Sequence, residues 1–134
     1  MLTHYKTILK PAEGNFSDSG SKFLSYIFHC TDENFIRSKK QELKKQHHKA
    51  VHVVLALRLG EDGSHERSSD DGEPSGSAGK PVLNELKSRE LTNIAVFVVR
   101  YFGGKKLGIP GLIHAYRSAA ADGLDKAETH LHVF

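Results

Sequence analysis

At 134 residues the chain suits one domain, long enough to bury roughly two thirds of its unfolded surface. A hydrophobic share of 38% and a charged share of 26% exclude a disordered or fibrous chain, and no apolar run approaches the roughly 18 residues that a membrane helix needs. The formal net charge of +3 permits a polyanionic partner without demanding one, and the single cysteine, Cys30, rules out an internal disulfide and fits a reducing, cytoplasmic setting.

In chain order, residues 4–10 read as a strand, with Tyr5, Ile8 and Leu9 along it and Pro11 after it. Residues 13–21 are rich in Gly, Ser, Asn and Asp and read as a turn region. Residues 22–30 carry Phe23, Leu24, Tyr26, Ile27 and Phe28 and read as a second strand. Thr31 or Asp32 then caps a helix. Asp32 and Glu33 sit in its first turn and Lys44, Lys45, His47 and His48 near its end, complementing the helix dipole. Its apolar face is thin (Phe35, Ile36, Leu43), so most of it faces solvent.

Residues 50–59 are strongly apolar and too short for a long helix, which predicts a central strand. Gly60-Glu61-Asp62-Gly63 turns it into a short strand near residues 65–68. An acidic glycine loop follows: Asp70, Asp71, Gly72, Glu73, Pro74, Ser75, Gly76, Ser77, Ala78, Gly79. Pro81 suits the first turn of a helix that places Val82, Leu83 and Leu86 on one side. Residues 93–101 are nearly continuous Ile, Val and Phe, a buried strand. Residues 102–111 form a second glycine-rich loop, and Pro110 opens a last helix. Leu112, Tyr116, Ala119, Ala120, Gly123, Leu124 and Ala127 make its apolar stripe. Residues 129–134 are an edge strand or a frayed end. The sum is one α+β domain over residues 1–134: a two-layer sandwich, with a mixed sheet of four to five strands and helices on one face.

Most motif readings fail on spacing. Gly76 to Lys80 resembles part of a P-loop, but Pro74 stands where the first glycine belongs and Pro81 follows the lysine. Small-residue amides ahead of a helix still allow a plain anion nest, beside the reading that they only shape the helix entry. Asp70-Asp71-Gly72 lacks the EF-hand register and a closing glutamate. Asp70, Asp71 and Glu73 therefore either hold a cation or pair with nearby bases and amides. No CxxC or HExxH spacing marks zinc, and no glycine frame makes Ser75 or Ser77 a nucleophile elbow. No catalytic residue, metal or cofactor is assigned.

The second loop is more suggestive. Arg100, Tyr101, Phe102, Gly103, Gly104, Lys105 and Lys106 sit between a buried strand and a helix, with His114 and Arg117 one helical turn apart beyond them. Cations, aromatics and free amides at a helix N-terminus suit phosphate or nucleic-acid contact. Tyr101 and Phe102 also read as core anchors, Phe102 above all, whereas lysines such as Lys105 and Lys106 are rarely buried.

Together the two loops resemble the signature of the IMPACT/YigZ family. That signature couples Asp-Asp-Gly-Glu-Pro-Ser-Gly-Thr-Ala-Gly with Arg-Tyr-Phe-Gly-Gly, Lys-Leu-Gly, Gly-Leu and Ala-Tyr, here at residues 69–79 and 100–116. Ala50 and His52 resemble the family's Ala-x-His, and the likeness runs from about residue 22 to about residue 127. Ser77 replaces the usual Thr, Lys105 an apolar residue, and His114 and Arg117 the usual Arg and Gly. The resemblance implies the fold of ribosomal protein S5 domain 2. It also implies a non-enzymatic, translation-linked role, with RNA or a ribosome-associated protein as partner. Arg100, Tyr101, Gly103, Gly104, Lys105, Lys106, His114 and Arg117 would then make the contact surface, with Asp70 to Gly79 and His52 as the shaping motif. Longer bacterial relatives carry a further ferredoxin-like domain, and this chain is read as ending before it. The competing readings are a small hydrolase or metal-dependent enzyme using Asp70, Asp71 and Glu73 near Ser75 and His52, and a purely protein-binding regulator of translation initiation. The oligomeric state stays open.

Overall fold

The computed structural model describes residues 2–134. In chain order it contains β1 (His4–Ile8), β2 (Ala12–Asp18), β3 (Ser21–His29), α1 (Glu33–Gln46), β4 (His52–Leu59), β5 (His65–Ser69), α2 (Gly79–Ser88), β6 (Ile94–Tyr101), α3 (Gly108–Lys126) and β7 (Thr129–Val133). Five strands form one sheet in the order β2-β3-β6-β4-β5, and β1 pairs with β7 in a second, two-stranded sheet. The α+β class holds. No helix among the described residues is long and apolar enough to cross a membrane.

The large sheet is antiparallel at every pairing rather than mixed. The crossover through α1 does lay β4 parallel to β3, but β6 returns between them and opposes both. β6 is thus the central strand, and β4, read from sequence as central, lies one place from the edge.

Nor do the helices keep to one face. Alternation along β4 and β6 sends Val54, Ala56, Ile94, Val96 and Val98 to one side, where they pack with α2 and α3. Val53, Leu55, Leu57, Ala95, Phe97 and Val99 go to the other side, where Ile36 and Leu43 of α1 join them. A strand apolar on both faces needs a layer on each, and the thin stripe of α1 supplies the second. Asp32 caps α1 by accepting from Phe35 N at 3.0 Å.

The glycine- and serine-rich stretch read as a turn is the edge strand β2, with the turn itself confined to Ser19 and Gly20. Its small residues serve the approach of α3. A Cβ on Gly14 would collide with the Gly123 backbone, so the pair Gly14 and Gly123 lets helix and strand touch. Residues 129–133 form a paired strand, and Tyr5 stacks on His132 at 4.8 Å between centroids.

Candidate functional site

The acidic loop turns its carboxylates inward. Asp70 Oδ1 accepts from Ala78 N at 3.2 Å and Gly79 N at 2.8 Å, and Oδ2 accepts from Gly76 N at 2.9 Å. α2 has no side-chain cap from its own N-cap residue, Ala78, so Asp70 caps it from eight residues away. The anion in this nest of amides is therefore part of the chain itself. Asp71 holds a left-handed backbone, φ 45°. Its Oδ2 accepts from Val53 N at 2.7 Å, its carbonyl accepts from His52 Nδ1 at 2.7 Å, and Lys44 Nζ donates to Oδ1 at 3.5 Å. Ser77 is fully buried and its hydroxyl is committed to the Pro74 carbonyl, whereas Ser75 is exposed. Among the described residues no three His, Cys, Asp or Glu side chains converge in a metal-holding arrangement.

Glu73 is the link between the loops. Arg100 Nη1 donates to Glu73 Oε1 at 3.0 Å and Oε2 at 2.7 Å, and Tyr116 Oη donates to Oε2 at 2.5 Å. His52 Nε2 lies 3.4 Å from Oε1. Strand register explains the convergence: Arg100 at the end of β6 stands directly opposite His52 on β4 and Phe23 on β3, and all three side chains share the α3 face. Glu73 and Arg100 are 8% and 5% exposed, so each desolvated charge is balanced by the other. Burial, and then the bond to Glu73, push the Tyr116 hydroxyl far above the usual tyrosine range, so it stays a donor. Tyr116 was not singled out for this role by sequence, because its spacing from Leu112 and Ala120 reads as ordinary apolar stripe.

The second loop, residues 102–107, leaves this buried cluster for the surface. Gly103 N donates to Ser21 Oγ at 3.0 Å, and a Cβ on Gly103 would overlap the Gly20–Ser21 backbone. Lys105 and Lys106 are exposed. Phe102 is 51% exposed and is not a core anchor; its ring centroid lies 5.6 Å from the Arg100 guanidinium. Tyr101 turns to the opposite face of the sheet. Its hydroxyl is 2.6 Å from His47 Nδ1, and His47 Nε2 is 2.8 Å from the Tyr26 hydroxyl. Burial lowers the pKa of His47 below the usual histidine value. Arg117 and His114 diverge on α3. Arg117 Nε donates to Glu85 of α2 at 3.0 Å, whereas the His114 ring meets Phe16 of β2 edge-on at 5.4 Å.

Of the residues proposed from sequence for partner contact, Gly103, Gly104, Lys105 and Lys106 are thus together at the surface. Arg100 lies beneath them, committed to Glu73. Where the two loops meet, a cavity of about 340 Å3 opens, walled by Pro74, Phe102, Leu107, Ile109 and Leu112 with Glu73, Arg100 and Lys106 among its polar groups. Its apolar walls come from two segments far apart in sequence, Pro74 and residues 102–112, and no sequence spacing announces that they meet.

The family model of the Impact N-terminal domain matches residues 19–124. The IMPACT family member YvyE of Bacillus subtilis is 39% identical over 125 residues, 93% of this chain and 58% of that protein. The crystal structure of a hypothetical protein superposes with a TM-score of 0.93 at 29% identity, covering 99% of this chain and 66% of that one. The two-domain translational regulator Yih1 gives a TM-score of 0.58 at 30% identity, covering 87% of this chain and 46% of that one. This chain therefore spans only part of each of these proteins. Both signature loops fall inside the matched region, and the chain belongs to the Impact N-terminal domain family.

Proposed function

We propose that this chain is a non-enzymatic binding module of translation control, and that it contacts RNA through residues 102–107. The observation that carries this reading is the unequal use of charge in the two loops. Asp70, Asp71 and Glu73 are occupied by amides or internal bases. Lys105 and Lys106 are exposed and join none of the ion pairs among the described residues. Carboxylates spent on holding the fold do not serve hydrolysis or metal binding, whereas unspent lysines beside an exposed aromatic suit a phosphate backbone and its bases. The likeness to Yih1, a translational regulator, supports the link to translation.

The test is binding of a fluorescent RNA bearing an unpaired loop, measured over a salt series. Affinity should fall steeply with salt, and Lys105→Glu with Lys106→Glu should weaken it and reduce the slope of log affinity on log salt by about 1 to 2. No binding at low salt, or a double variant that binds as the parent does, would overturn the RNA contact. A protein partner captured through the same lysines with no RNA present would move the reading to a protein-binding regulator.

A further inference from the structure

We propose that the cavity between the two loops receives one unstacked nucleobase, with the adjoining phosphates held by Lys105 and Lys106. This rests on the RNA reading above and adds to it a specific site and ligand.

The cavity combines two properties that seldom meet on a surface. Its walls are apolar: Pro74 from the first loop, Phe102 and Leu107 from the second, Ile109 and Leu112 from α3. Three of these stay in water: Pro74 is exposed, and Phe102 and Ile109 are 51% and 52% exposed. Large apolar side chains gathered around a concavity mark a binding groove rather than scattered exposure. Yet the surrounding charge is positive. Glu73 and Arg100 cancel one another at its buried side, which leaves Lys106 on the lining and Lys105 beside it. The first turn of α3 has no acidic residue and no side-chain cap, so its dipole adds to that potential.

A ligand that uses all of this has a flat apolar body and anions attached on either side. A base within an RNA strand has that chemistry. A purely apolar peptide side chain would fill the walls but gain nothing from the lysines. The platform has a fixed neighbour before binding. Phe102 rests with its ring centroid 5.6 Å from the Arg100 guanidinium, which Glu73 fixes, so that contact favours one ring orientation before a base stacks on it.

The experiment uses the full chain and two short single-stranded RNAs, one intact and one with a single abasic position. Phe102→Ala should weaken binding of the intact strand about five- to 150-fold, the loss expected for one stacked base, while leaving the salt slope unchanged. The abasic strand should bind the parent more weakly, and Phe102→Ala should cost it little further. Phe102→Tyr should restore affinity. Phe102→Leu, which keeps an apolar side chain for folding, should still bind more weakly than the parent. If the parent binds RNA with a steep salt slope but Phe102→Ala and Phe102→Leu match it, the base site is wrong and the RNA contact stands. If the parent binds no RNA at low salt, the functional reading fails first. If an apolar acidic peptide binds in a Phe102-dependent way and RNA does not, the cavity belongs to a protein partner and the base site is overturned.

Discussion

Glu73 and Arg100 are 27 positions apart in sequence, and in the fold Arg100 Nη1 donates to Glu73 Oε2 across 2.7 Å. The pair is nine-tenths buried, and it ties the acidic loop ahead of α2 to the end of the central strand. Tyr116 of α3 adds a third element through the same oxygen. Two loops that look like separate motifs are therefore two sides of one buried clasp.

Breaking the clasp on one side leaves a desolvated charge without its partner. Glu73→Ala should lower the unfolding free energy by about 3 to 5 kcal/mol. Tyr116→Phe, which removes one bond to a charged acceptor, should cost about 1.5 to 3 kcal/mol. Urea unfolding measures both, and a Glu73→Ala cost below about 1 kcal/mol would show that the pair does not hold the loops together.

Asp70 acts at the entry to α2. Asp70→Ala removes the acceptor for the Gly76, Ala78 and Gly79 amides and should cost about 1 to 2 kcal/mol. Hydrogen exchange should localise the change: Ala78 and Gly79 amides lose protection while β6 keeps its own. Uniform loss across the sheet would contradict a local cap.

Asp71 separates a scaffold role from a direct one. Asp71→Ala strands Val53 N and places Ala in a left-handed backbone, an expected loss of about 1 to 3 kcal/mol. RNA affinity of the folded fraction should stay near the parent's, because the lysines are untouched. Unchanged stability with abolished binding would mean that the acidic loop meets the partner itself.

Acid sensitivity has a defined contributor far from this site. Hydrogen bonds from Arg67, then from His65, hold Glu33 at about 2, below its ordinary 4.5. A depressed carboxylate contributes stability that is complete above about 4.5 and disappears as pH falls towards about 2. The Glu33 side chain is 35% exposed, so solvent screening limits the contribution to about 1 kcal/mol at most. Glu33→Gln should flatten the urea midpoint across that window, and an unaltered acid slope would remove Glu33 from the account.

The elements differ in how legible they were. β3, β6 and α3 follow from runs of apolar residues at periods of two and of three to four, because burial imposes those periods on any strand or helix. Sequence pattern does not show β2, because Gly14 answers to the helix packed on it rather than to the strand's own pairing. Its place after a buried strand makes Phe102 read as an anchor, because an aromatic there usually is one. The close packing of Gly103 on Gly20 and Ser21 turns the chain outward there instead.

Sequence alone determined the helices and most of the strands, β2 excepted, that the two glycine loops belong together, and the family. Those are properties of local pattern and of motif order. Only the tertiary structure decided that Arg100 is buried while Lys105 and Lys106 are free, that α1 covers the second face, and that a cavity opens between the loops. Each of these depends on which distant groups satisfy a charge or fill a space, and contacts across 27 to 80 or so residues leave no spacing to read.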